Sequence, residues 1–383
     1  MDYLGKTQAE LERAGGYWTA REICQQPAVW ADVARLMTER AGALSAYLDP
    51  LLRRPELRIV LTGAGTSGFV GECLAPALTR AGHRVNAIAT TDLVGSPTRW
   101  LAAGVPILLV SFARSGNSPE SVAALKFSER AALDCHHLIV TCNRDGALYR
   151  HAQAAKNAYA VLLPQETNDR GFAMTSSFSG MLLAAALGFQ LLPASSAAAL
   201  AAWGQQVLDA ANPVAAGLAG AGFERVVYLG SNECKGLARE AALKLLELSD
   251  GRIATLSDTP LGFRHGPKTF VNRKTLVVMF LCNDAYTRRY EKDVLEELRA
   301  DGVAARVVAL SGADAAASDQ DQISVSGAAS ASDLSLCLPY AVFAQTLAFE
   351  QSLALKLTPD RPNAQGVVNR VVSGFNIYPW APG

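Results

Sequence analysis

Residues 57–81 read L-R-I-V-L-T-G-A-G-T-S-G-F-V-G-E-C-L-A-P-A-L-T-R-A, and the fold turns on this stretch. Leu57 to Leu61 is a short apolar run that predicts a strand. Gly63 to Gly68 is a loop of small residues, and Phe69 to Ala81 has the spacing of a helix. A strand with almost no polar side chains, followed by a tight loop and a helix, is the unit of a parallel sheet covered on both faces.

The pattern continues outward from there. Arg84 to Ala89 and Pro106 to Ser111 predict two more strands. A helix follows Ser118 to about Ala132, then come strands at His137 to Thr141 and Ala158 to Leu162 and an apolar helix from Ser176 to Leu191. Upstream, Trp30 to Leu52 places Val33, Leu36, Met37, Leu44 and Leu48 at helical spacing, and Pro55 ends that helix. The Ala- and Gly-rich tract from Pro193 to Gly222 holds one connecting helix. The order then starts again: a strand at Arg225 to Gly230, a Ser-Asn-Glu loop, a helix at Cys234 to Leu248, a strand at Thr275 to Leu281, a helix at Tyr286 to Ala300 and a strand at Ala305 to Leu310. Ser311 to Ser332 reads as a loop around one strand at Gln322 to Ser326, and Ala341 to Leu357 as the last long helix. Two α/β halves in the same order point to an internal duplication, with ligands bound beyond the carboxyl ends of the strands.

The 383 residues carry 35 Lys plus Arg against 35 Asp plus Glu, so no cationic field favours nucleic acid. Half the residues are hydrophobic, enough for two cores. Apolar runs such as VPILLVSF and TLVVMFLC fall far short of the ~20 residues that span a bilayer, and MDYLGKTQAE does not read as a signal peptide. The seven cysteines are odd in number with no CxxC pair, which argues against a disulfide framework or a thiolate zinc site. A reduced, cytoplasmic protein is expected.

Three loops are built to meet an anion. In Gly63-Ala64-Gly65-Thr66-Ser67-Gly68 the glycines permit a tight turn and close backbone approach, and Thr66 and Ser67 open a helix. A plain helix cap is the alternative. A dinucleotide site is disfavoured, because G-x-G-x-x-G is missing and no acid ends the next strand. The loop Ser111 to Glu120, S-F-A-R-S-G-N-S-P-E, is the stronger signal. Ser115 and Ser118 offer hydroxyls, Gly116 a turn, Pro119 suits the first helical position, and Glu120 sits in the first turn. The third loop, Thr175-Ser176-Ser177, precedes an apolar helix, where hydroxyls also serve as caps.

In the second half Glu240, Lys244 and Glu247 fall at i, i+4 and i+7, on one face of a mostly apolar helix. That face is either a cleft wall or a salt-bridged surface stripe. Downstream, His265 lies in L-G-F-R-H-G-P, on a constrained loop, where a histidine is a residue type able to pass a proton. His136 and His137 adjoin a strand start without metal-ligand spacing, and His83 and His151 read as surface residues. No metal or cofactor is expected.

Taken together, GAGTSGF, SFARSGNSPES, TNDRGFAMTSSFSG, YLGSNECKGLAREAALKLLELSDG, LGFRHGP and PDRPNAQGVVNRVVSGFNIYP resemble the sugar isomerase (SIS) family, and within it the AgaS-like branch of galactosamine-6-phosphate deaminase/isomerases and tagatose-6-phosphate ketose/aldose isomerases. The resemblance covers nearly the whole chain. It implies two tandem SIS-type three-layer αβα subdomains with parallel sheets, here at 55–210 and 211–358, after an N-terminal helical segment (1–54) and before a tail (359–383). By likeness to the isomerase domain of glucosamine-6-phosphate synthase, Ser115, Gly116 and Ser118 cradle phosphate, with Thr66, Ser67 and Ser176 completing the pocket. By the same likeness Glu247 is expected to be the carbon-1/carbon-2 proton carrier, Lys244 a catalytic partner that steadies it or the developing negative oxygen, Glu240 a substrate-binding residue, and His265 the group that opens the sugar ring.

Two departures qualify that carry-over. Ala113 and Arg114 replace a serine and a glutamine of the phosphate loop, so Arg114 is expected at the phosphate or the ring. The tail stretch Asn369-Arg370-Val371-Val372 has no lysine for a Schiff base, which leaves Arg370 as a binding group. The expected activity is conversion of a 2-amino-2-deoxyhexose 6-phosphate, galactosamine 6-phosphate by family likeness, to a ketose phosphate and ammonium. The alternatives are a non-deaminating isomerase, a glucosamine-6-phosphate deaminase and a sugar-phosphate sensor. The resemblance also implies a homodimer or higher homo-oligomer, with the tail completing a neighbouring site.

Overall fold

The computed structural model describes the chain apart from residues 1, 103, 133, 315–318, 320, 364, 369, 371–373, 375 and 383. It divides into two compact units. Unit 1 comprises Met1–Ala28, Arg170–Thr175 and Ala198–Val367, and unit 2 comprises Val29–Asp169, Ser176–Ala197 and Val368–Gly383.

Unit 2 is built on a five-stranded parallel sheet in the order Arg84–Ala87, Arg58–Thr62, Ile107–Ala113, Cys135–Thr141, Ala158–Leu162. Every residue of the central strand Ile107–Ala113 is buried, which is why that stretch reads as a continuous apolar run. Each Leu or Ile taken fully out of water there contributes about 1.5–3 kcal/mol. Helices Thr66–Arg80, Pro119–Ala131, Ala147–Ala154 and Ser176–Gly188 follow the strands. The long helix Gln26–Leu52 starts four residues before the predicted Trp30, and its Trp30 indole donates to Ser179 Oγ at 2.9 Å.

The five-stranded sheet of unit 1 is also parallel, in the order Ala254–Asp258, Arg225–Gly230, Thr275–Phe280, Arg306–Ser311, Gln322–Ser324. In sequence order this is the same 2-1-3-4-5 arrangement as in unit 2. The first turns correspond atom by atom. A Cβ on Gly63 would lie 2.4 Å from the carbonyl carbon of Ser67, and one on Gly230 would lie 2.3 Å from the carbonyl oxygen of Cys234, four residues on in both cases. Two residues past each glycine the backbone turns alike: Gly65 has φ 54° and ψ −128°, and Asn232 has φ 49° and ψ −123°. The left-handed region suits glycine and costs asparagine less than most residues. The internal duplication is therefore preserved at the level of a single strained turn.

Other elements also differ from the sequence reading. Phe112 and Ala113 extend the strand predicted to end at Ser111, because their side chains are buried and Ala113 pairs with Thr141. The edge strand Ala254–Asp258 was not expected, since it carries no apolar run. The last helix begins at Asp333, capped by Ser332 Oγ accepting from Ser335 N–H, and runs through Pro339.

Candidate active site

The candidate loops of unit 2 lie at the carboxyl ends of its strands. Thr66 and Ser67 open the helix after Arg58–Thr62 and are 4% and 5% exposed. The Ser67 amide donates to Ala64 O at 3.2 Å, so this N–H is engaged within the turn. After Ile107–Ala113, the chain leaves through Arg114 and Ser115 and turns at Gly116, with φ 63°. Ser118 then caps the helix Pro119–Ala131, its Oγ accepting from Ser121 N–H at 3.2 Å, with Pro119 first in the helix and Glu120 in its first turn.

The next connection, residues 143–148, pins this loop. Asn143 Nδ2 donates to Ser115 O at 2.8 Å, Leu148 N–H to Gly116 O at 3.1 Å, and Ala147 N–H to Asn117 Oδ1 at 2.9 Å. Asn143 and Asn117 went unnoticed in the sequence because nothing local marks a contact across some 30 positions.

Ser176 begins the apolar helix Ser176–Gly188 and is fully buried. Its N–H and that of Ser177 donate to the carboxylate of Asp169, at 3.1 and 3.0 Å. Asp169 thus supplies the negative charge that the helix N-terminus attracts, a role the sequence reading missed. Arg370 docks close by, donating to Asn168 Oδ1 at 3.4 Å and to Asp169 O. Arg114, only 7% exposed, donates to Arg370 O at 2.6 Å. Arg114 therefore ties the phosphate-type loop to the tail of its own chain. Asn369, Val371 and Val372 lie outside the described residues.

In unit 1 the helix Glu233–Leu248 packs on Arg225–Gly230, Ala254–Asp258 and the last helix. Glu240 and Lys244 are each 1% exposed, which excludes the surface-stripe reading. Lys244 Nζ lies 3.7 Å from Glu240 Oε1 and forms a short ion pair with Glu247 Oε2. The Glu247 side chain is 24% exposed, so one member of the triad reaches the surface while two are sealed beneath it. The Lys244 ammonium thus lies between the two carboxylates.

His265 is exposed, in the turn between helix Pro260–Phe263 and the 3-10 turn Pro267–Phe270. Its N–H donates to Gly262 O at 2.9 Å, and Gly266 follows at φ 117°. Arg264 and Lys268 fasten this turn to the helix Ala285–Asp301 through Glu297, at 2.8 and 2.5 Å. Arg264 thus has a clear structural partner. Among the described residues the His265 imidazole has no hydrogen-bond or ion-pair partner, and none joins it to Glu247.

The equivalent of the Ser115 loop in unit 1 follows Thr275–Phe280. There Asp284 caps the next helix, accepting from Thr287 N–H at 2.8 Å. A carboxylate at that position repels an anion. Of the two corresponding loops, only the one in unit 2 has hydroxyls in that place.

His136 and His137 lie at the start of the strand Cys135–Thr141, as expected. His137 is fully buried, and burial pulls its pKa down to about 3. It lies beside His151, which is partly buried, and Glu129.

The SIS domain family matches residues 51–189. Over the whole chain the likeness is closer. The D-galactosamine-6-phosphate deaminase AgaS of Escherichia coli O157:H7 is 44% identical over 378 residues, covering 96% of this chain and 97% of the relative. The chain belongs to the AgaS family of SIS-domain proteins. Another AgaS deaminase, from Shewanella sp. (strain ANA-3), is 40% identical over 382 residues, covering 97% and 94% of the two chains. The crystal structure of the tagatose-6-phosphate ketose/aldose isomerase from Escherichia coli superposes with a TM-score of 0.89 at 41% identity, covering 95% of this chain and 97% of that one. This AgaS-family chain keeps the loop and helix motifs on which the family resemblance was first read.

Proposed function

We infer that this AgaS-family protein is a sugar-phosphate isomerase/deaminase that converts galactosamine 6-phosphate to tagatose 6-phosphate and ammonium. The observation that carries the reading is the end-to-end likeness to the AgaS deaminases, 44% identity over 96% of the chain. The buried Glu240–Lys244–Glu247 cluster is compatible with it.

In this reading Ser115, Gly116 and Ser118, with Thr66, Ser67 and Ser176, receive the phosphate and fix the position of the sugar. Arg114 and Arg370 hold the loop and tail around it. His265 moves a proton at the ring oxygen to open the ring. Glu247 takes the carbon-2 proton, which is acidic beside the open carbonyl, and returns it to carbon 1 while the carbonyl oxygen gains a proton. The amine nitrogen loses a proton, matching the one the carbonyl oxygen gains, and the carbon–nitrogen bond at carbon 2 becomes an imine. Water adds to it and ammonium leaves, giving the 2-ketose. Lys244 is a positioning residue: buried against Glu247 and Glu240, it keeps the Glu247 carboxylate aimed.

We further propose a homodimer or higher homo-oligomer, in which tails complete neighbouring sites in addition to the contact Arg370 makes within its own chain. No helix among the described residues is long and apolar enough to cross a membrane. The absence of disulfides among the described cysteines supports a reducing, cytoplasmic setting.

A second reading, isomerisation without loss of the amine, is favoured by the ketose/aldose isomerase described for the Escherichia coli structure. Incubation with galactosamine 6-phosphate, glucosamine 6-phosphate and tagatose 6-phosphate, following ammonium and ketose together, separates the two. Deamination predicts equal ammonium and ketose from galactosamine 6-phosphate. Turnover of the sugar with no ammonium supports the second reading.

A further inference from the structure

We propose that unit 2 binds a divalent transition-metal ion, zinc by ligand type, through Glu129, His137 and His151. The Nε2 atom of His137 lies 3.3 Å from Glu129 Oε1, and His151 Nε2 lies 3.5 Å from the same oxygen. The three ligand atoms all fall within 4.8 Å of one another. Tetrahedral zinc with bonds of about 2.0–2.1 Å to nitrogen and oxygen spaces its ligands roughly 3.3–3.5 Å apart, so two edges of the set already have the required length.

The environment points the same way. His137 is fully buried. His151 Nε2 is a buried atom with no hydrogen-bond partner among the described residues, although a carboxylate oxygen is close by. A buried imidazole nitrogen left in that state is costly, and a cation shared among the three side chains would satisfy it. Cys135 Sγ, 3.6 Å from His137 Nε2, is a soft donor at hand. Two imidazoles and one carboxylate favour zinc and its first-row neighbours over magnesium or calcium, which take all-oxygen sets.

The position indicates what the ion would do. His137 is the third residue of the strand Cys135–Thr141, Glu129 lies in the last turn of the helix Pro119–Ala131, and His151 lies in the helix Ala147–Ala154. The ion would clamp two helices to the amino-terminal end of a strand, whereas the Ser115 loop is at the carboxyl end of the neighbouring strand. This is a structural site, separate from the sugar-phosphate loops.

The test uses the full chain, stripped with EDTA and titrated with Zn²⁺ against a chromophoric chelator, with thermal unfolding recorded in parallel. The wild type is expected to take up one tight equivalent more than either His151→Ala or Glu129→Gln. Its Tm is expected to rise by several degrees with Zn²⁺, but not with Mg²⁺, and this rise should be missing in both variants. Equal uptake by wild type and both variants would assign the zinc to cysteines elsewhere and overturn the site. Absence of tight uptake by the wild type would overturn it as well.

Discussion

Lys244 Nζ lies 3.7 Å from Glu240 Oε1, one helical turn away, and both residues are 1% exposed. Such a pair is expensive to desolvate and more expensive to break. Its partner at the surface end, Glu247, is the residue assigned to proton transfer. The helix Glu233–Leu248 therefore carries the proposed proton carrier on a buried electrostatic base.

Replacing the ammonium tests that base. Lys244→Met removes the counter-charge of a sealed carboxylate and is expected to destabilise the protein by about 3–5 kcal/mol in urea unfolding. The double variant Lys244→Met/Glu240→Gln should regain a substantial part of that loss. A double variant no more stable than the single one would show that the two side chains are not coupled.

The Ser115 loop should act on binding more than on chemistry. Ser115→Ala is expected to raise KM for the sugar phosphate about tenfold or more, the value of one charge-assisted hydrogen bond, with a smaller change in kcat. Asn143→Ala, which frees Ser115 O from its 2.8 Å tie, should move KM in the same direction without touching the ligand. Steady-state kinetics reporting a fall in kcat at constant KM would contradict the loop's assignment.

Asp169 is predicted to be a structural cap. Asp169→Ala leaves the first amides of Ser176–Gly188 without their carboxylate acceptor and should cost about 2 kcal/mol of stability, read from the denaturation midpoint. Asp169→Asn should recover part of the loss. Equal stability of wild type and Asp169→Ala would refute the cap.

Glu291 makes stability depend on pH. It is fully buried, its Oε2 accepts the Cys282 N–H at 2.8 Å, and burial raises its pKa above the ordinary 4.5. Below that ordinary value the carboxyl is protonated in both the folded and unfolded chain. As pH rises through the folded pKa, the unfolded chain ionises more readily, so this contribution to stability is lost. Glu291→Gln lacks the titration, and its stability relative to wild type should therefore grow as pH is raised from about 4 to about 7. A pH-independent difference between the two would show that Glu291 is not strained in this way.

Much of the architecture is legible in the residues. Ile107 to Val110 and Leu276 to Phe280 are apolar runs because their strands are covered on both faces, and buried strands must be. The face shared by Glu240, Lys244 and Glu247 follows from helical period alone, although its burial does not. The edge strand Ala254–Asp258 escaped notice because an edge needs little apolar surface. Pro339 hid the first turns of a helix that tertiary packing carries through it. Asn143 reaches Ser115, Asp169 caps Ser176, and His151 meets His137 through pairings that only the fold creates.

The most direct test of the account is ammonium and ketose release from galactosamine 6-phosphate by wild type and Glu247→Gln, with ligand-induced thermal shift measured on both. The wild type should release the two products in equal amounts. The variant should lose at least about 10²–10⁴-fold in turnover, as expected on removal of a general base, yet keep its thermal shift with the sugar phosphate. Undiminished turnover in Glu247→Gln would contradict the mechanism.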